Sequence, residues 1–143
     1  MPYYGDASYA MQIDLIDMGH RPDGIYKWIA HYMDHWSKYH IRFPVAHKSA
    51  VEVAHGLKTR VLAYFGVPRV LQSDCGRELN NHLITTIVKD WPGKAEIVHG
   101  RPRHPQSQGL VERENRTVEA KLACKFVETG TDAWSEWLPS VQC

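Results

Sequence analysis

AMQIDLID, residues 10–17, alternates with the period of a β-strand. Met11, Ile13 and Leu15 fall on one face, Gln12 and Asp14 on the other, because successive side chains of an extended chain point to opposite sides. An aspartate is therefore expected in mid-strand, among apolar neighbours, where a carboxylate is costly unless something offsets its charge. Asp17 shares the strand but lies on the face opposite Asp14, and is set aside as a site residue.

Working outward, MGHRPDG (18–24) reads as a turn from its Gly, Pro and Asp-Gly content. IYKWIAHYMD (25–34) and HIRFPVAH (40–47) follow as two more strands, making an antiparallel meander of three. Ser49 then opens a helix with Glu52 as its capping-box partner. Ala50, Val53, Ala54, Leu57, Val61, Tyr64 and Phe65 recur along it at helical spacing, and Gly66 and Pro68 stop it. RVLQSD (69–74) is expected as a short buried strand ending on Asp74, CGRELNN (75–81) as a loop, and residues 82–91 as a helix. KAEIVHG (94–100) supplies a fifth strand. A long helix begins between Gln106 and Gly109, passes Phe126 and ends by Gly130. The order βββαβαβα predicts an α/β domain, with a mixed five-stranded sheet and helices packed on both faces.

The chain has 143 residues, 43% hydrophobic and 23% charged, enough for one core. Residues 1–9 read as an irregular lead-in, and residues 10–143 as one domain that stops where a further helix is expected. A formal net charge of +1 neither demands nor excludes nucleic acid, so any such binding must come from a local patch. Three cysteines without metal-ligand spacing argue against a disulfide-stapled scaffold and for a reducing, intracellular compartment. No stretch approaches the roughly 18 apolar residues that a membrane span needs, and no leader pattern opens the chain.

In the long helix, at about 100° per residue, Val111, Val118, Leu122 and Phe126 form the predicted buried stripe. Glu114 lies at its margin, and Glu112, Arg116 and Glu119 form a polar ridge with Asn115 between. Glu112 is thus the glutamate expected to face a strand end, and Glu114 to sit at the rim. Asp14, Asp74 and Glu112 would converge at the carboxyl ends of adjacent strands, where sites of open sheets form. Three such carboxylates repel one another unless a cation neutralises them. Hard oxygen ligands with open positions suit Mg2+ or Mn2+, and a pair of such ions can drive in-line displacement at a phosphodiester.

Four blocks, QID (12–14), YMDHWSKY (32–39), FGVPRVLQSDCGREL (65–79) and HPQSQGLVEREN (104–115), resemble the catalytic core of retroviral integrases. The likeness is nearest to integrases of gypsy-class long-terminal-repeat retrotransposons and host genes derived from them, and it runs from about residue 10 to the C-terminus. It implies a ribonuclease-H-like fold, with Asp14, Asp74 and Glu112 as the metal-binding catalytic triad. The Asp74 to Glu112 interval of 38 positions is close to the family's usual spacing. Gln106, Ser107, Gln108, Asn115 and Arg116 are implied as DNA contacts, Mg2+ or Mn2+ as cofactor, and DNA and a homo-oligomer as partners. The implied activity is DNA integration by a polynucleotidyl transferase and endonuclease, acting in the nucleus. Pro102 and Pro105 restrict the segment GRPRHPQSQG (100–109), which reads as a loop freed by Gly109, with Arg101, Arg103 and His104 offering phosphate contacts.

Departures from the family pattern bear on that activity. Cys75 stands where asparagine is usual, Leu79 where phenylalanine is, and Glu119 where retroviral enzymes often present a lysine to DNA. The alternative is a catalytically silent remnant that binds nucleic acid or protein. His31 and His35 form an H-x-x-x-H pair, but no C-x-x-C follows, so a structural role is expected in place of a zinc half-site. Trp134 and Trp137, in WSEWLP, are expected in a link beyond the long helix.

Overall fold

The computed structural model describes residues 10–34, 39–63, 70–73, 77–90, 98–99 and 105–141, with the backbone alone at 10, 70, 72, 77, 88, 90, 98–99, 105–112 and 141. Strand β1 (Ala10–Asp17) pairs antiparallel with β2 (Trp28–Asp34), which pairs antiparallel with β3 (His40–Val45). On its other side β1 runs parallel to β4 (Val70–Ser73), which pairs parallel with β5 (Val98–His99). The sheet order is β3-β2-β1-β4-β5.

Alternation along β1 divides the molecule into two cores. Met11 and Ile13 pack with Ala30, Tyr32, Phe43 and Leu71 of neighbouring strands, under helices α1 (Ala50–Leu57) and α2 (Arg77–Asp90). Ile16 and Met18 face the other way, onto α3 (Pro105–Thr129) and α4 (Trp134–Val141), which contribute Val118, Leu122, Trp134 and Leu138. Asp14 is on this second face, by the same period of two.

The β1–β2 connection is a tight hairpin. Met18 N donates to Lys27 O, and Asp23 and Tyr26 exchange backbone bonds around Gly24, whose φ of 59° a side chain would resist. Ser49 caps α1 as expected, accepting from Glu52 N at 3.3 Å. Glu52 does not complete a reciprocal box at Ser49. Its carboxylate instead accepts from the backbone N–H groups of Ala46 and His47, because Ser49 N is already bonded to His47 O. The helix continues as a π-helical turn, Lys58–Leu62.

Gly56 is the point of closest approach between α1 and the sheet. A Cβ there would overlap the Phe43 ring, which is fully buried. Gly56→Ala is accordingly expected to lower stability by about 1–3 kcal/mol through overpacking, read as a drop in the urea midpoint at unchanged slope. An unaltered midpoint would show that the ring gives way freely.

Three sequence expectations need correction. Residues 77–81 are not loop but the first turn and a half of α2, since Leu79 packs on the core and Asn80 Nδ2 holds Ser73 O at 3.1 Å. Residues 105–109 are helical too, with Pro105 as the first residue of α3; its fixed φ suits that position and its missing N–H costs nothing there. WSEWLP is no link either, since Trp134 begins α4. The helix stop at Gly130 is as read: φ is 66°, and its N–H returns to Phe126 O at 2.9 Å. Residues 1–9 and most of KAEIVHG lie outside the described residues.

Candidate catalytic and nucleic-acid interface

Register places a row of polar residues straight across the sheet beneath α3. Asp14 pairs with His31, and His31 with Arg42. Directly opposed residues share a face, so β1, β2 and β3 each present one polar side chain to the helix. His31 and Arg42 are buried, and Asp14 is half-buried. Gln12 Nε2 donates to Asp14 Oδ2 at 2.5 Å, which orients that carboxylate from its own strand.

Two members of the row, His31 and Arg42, have their charge shifted by what surrounds them. Burial, then the nearby Arg42 and then His40, push His31 down from 6.5 to about 2, and a hydrogen bond with Asn115 opposes the shift only partly. His31 is therefore neutral, sharing one proton with His40 across a 2.7 Å Nε2···Nδ1 contact between stacked rings. Burial also lowers the Arg42 guanidinium below its ordinary value, and Glu114 works against that fall. The Arg42 Nη2 to Glu114 Oε2 distance is 3.7 Å, with the arginine side chain wholly buried and the glutamate 37% exposed.

The histidine carries a pH signature. Its folded pKa lies below its unfolded one, so the unfolded chain binds the extra proton between pH 6.5 and about 2. Stability is complete above pH 6.5 and falls as the pH drops through that window. At pH 5 the loss is about 2 kcal/mol, a melting point about 6 °C lower. Asp14, His40, Arg42 and Asn115 lie around the ring and are unchanged in His31→Asn, so the slope should flatten in that variant. Parallel pH profiles for the two proteins would overturn the assignment.

The expected site residues fall as follows. The parallel β1–β4 register sets Ile13 beside Ser73, the residues immediately before Asp14 and Asp74. Asp74 itself lies outside the described residues. Glu112 is within α3, one helical turn before Asn115, and its side chain is outside them as well, as are those of Gln106, Ser107 and Gln108. Asn115 is half-buried over His31, and Arg116 is exposed. Among the described residues no group of three His, Cys, Asp or Glu is close enough to hold a metal.

Asp17 is exposed and accepts from Gly19 N at 2.7 Å, a turn-making role. Sequence reasoning missed Arg42 and assigned Glu114 to the rim. The available signal was Arg42 itself, a lone cation inside the apolar run HIRFPV.

Over 97% of its length the chain is 31% identical to KRAB-A domain-containing protein 2 of Homo sapiens. Over 81% it is 32% identical to the Gag-Pol polyprotein of feline leukemia virus. Its fold superposes on the crystal structure of the catalytic core domain of BIV integrase with a TM-score of 0.65, covering 92% of this chain and 80% of that one at 24% identity. The chain belongs to the retroviral-type integrase cores. No protein-family model matches it. This integrase core spans 28% of the human relative and 7% of the viral polyprotein. In the integrase core no described helix is long and apolar enough to cross a membrane.

Proposed function

We propose that the integrase core is a DNA-joining and DNA-nicking centre, a polynucleotidyl transferase in which Asp14, Asp74 and Glu112 hold two Mg2+ or Mn2+ ions. The observation that carries this reading is the parallel pairing of Ile13 with Ser73, each of which is followed in the sequence by an aspartate. The donor set fits such ions: three carboxylates are hard oxygen ligands that need cationic charge to share a site. His31, opposite Asp14, is neutral and supplies none.

When bound, the ions would activate an attacking oxygen and stabilise the leaving oxygen of a phosphodiester. The chain's own residues orient and bind. Gln12 holds one Asp14 oxygen and thereby aims the other. Asn115 and the exposed Arg116 on α3 would meet the DNA, Arg116 through phosphate and Asn115 by hydrogen bonding. Gln106, Ser107 and Gln108, in the first turn of the same helix, would contact the DNA end, where free backbone N–H groups also favour phosphate. A homo-oligomer and a nuclear place of action complete the reading.

Exposed Glu119, on the same helix as Arg116, favours a second reading, a core that only binds nucleic acid or protein, because an acid repels the phosphate backbone. The deciding experiment is nicking of a branched DNA by the purified chain in Mn2+, with Asp74→Asn as control. Nicking that Asp74→Asn abolishes supports the first reading. A folded chain that never nicks, with any divalent metal, leaves the second.

A further inference from the structure

Glu114 and Arg42 have no place in the three-carboxylate chemistry, yet their ion pair joins α3 to the sheet. Arg42 is the far end of the row Asp14, His31, Arg42. Glu114 comes two residues after Glu112 on α3. An arginine with no side-chain exposure is expensive to desolvate, and a well-packed apolar residue would serve stability there equally well or better. What the ion pair adds is an attraction between a charge anchored in β3 and one on α3, at 3.7 Å between Nη2 and Oε2, which weakens as α3 slides or turns over the sheet.

Asn115, the next residue of the helix, is half-buried beside His31 in the middle of the row. The turn that carries Glu114 and Asn115 is the one that includes Glu112.

We propose that Arg42 is a positioning residue that acts through Glu114 to set the rotation and register of α3, and so the placement of Glu112 relative to Asp14. The inference rests on the three-carboxylate reading above. It assigns no chemistry to either member of the pair.

The test compares the unsubstituted chain with Arg42→Met, Glu114→Gln and the double variant, by calorimetric titration with Mn2+ and by steady-state nicking of branched DNA. Each single variant is expected to bind Mn2+ about tenfold more weakly and to lose about tenfold in kcat, as for other residues that orient a metal ligand from outside its coordination sphere. The KM for DNA should not move. The double variant should be no worse than Arg42→Met alone, because an effect transmitted through Glu114 is lost once only. Glu114→Gln, at a half-exposed position, carries the test should Arg42→Met not fold.

Variants that melt earlier yet bind Mn2+ as the unsubstituted chain does would overturn the proposal and reduce the pair to a structural tie. Additive losses in the double variant would overturn it as well. An unsubstituted chain that binds no Mn2+ instead removes the three-carboxylate reading, and the inference with it.

Discussion

Asp14→Asn is expected to reduce metal-dependent nicking by about a thousandfold, equivalent to about 4 kcal/mol of transition-state stabilisation, while leaving the fold intact. The substitution keeps the shape of the side chain and removes one negative charge from the middle of β1. Gln12 still has an oxygen to donate to, and His31 across the strand is neutral. A half-buried carboxylate carries a desolvation cost that the amide does not, and the melting temperature should stay level or rise. Opposite movements of activity and stability distinguish a site residue from a packing one. Activity retained at about a tenth of the original or more would place Asp14 outside the metal site, since a lost metal ligand costs far more than that.

Trp134→Ala should have the largest effect on stability, a loss of about 3–5 kcal/mol and about 10 °C in melting temperature. The indole is fully buried between α4 and the sheet, in the core built with Met18, Ile29, Val118, Leu122 and Leu138. Its N–H donates to Arg21 O at 2.7 Å, fastening the β1–β2 turn. Asp23 reinforces that junction by accepting from Ser135 N at 3.1 Å. Removing the ring leaves a cavity and an unpaired carbonyl together. Trp137, half-buried and edge-on to Phe126, is the comparison, and its alanine variant should cost less than half as much. Equal losses at the two positions would mean that α4 is held by its whole face, not by the one anchor.

Much of this was legible along the chain because the relevant signals are local. The alternation of AMQIDLID marked β1 and its two faces, and both faces are observed. Ser49 and Gly130 announced their helix ends through cap chemistry that involves only a few neighbouring residues. The starts of α2 and α3 were misplaced for a different reason. Glycine, proline and polar residues near a boundary suit a loop and a helix about equally well. The choice was made by Leu79 finding the core and Asn80 finding the end of β4, contacts no local pattern contains.

The candidate site divides in the same way. Asp14, Asp74, Glu112 and the helix residues Asn115 and Arg116 are candidates that the sequence blocks alone propose. Arg42 and its ion pair with Glu114 were invisible there, because a glutamate at the edge of an apolar stripe normally faces water.

The linear order of residues by itself determined the three antiparallel strands, the helix opened by Ser49, which face of β1 is polar, and which integrase-like blocks the chain resembles, since these depend on spacing of a few residues. Only the tertiary structure decided which residues stand opposite one another: Asp14, His31 and Arg42 are 17 and 11 positions apart and meet solely through strand register. Charge follows from that meeting. Burial makes His31 neutral and binds Arg42 to Glu114, because the cost of a charge depends on the dielectric and partners around it, which exist only once the chain has folded.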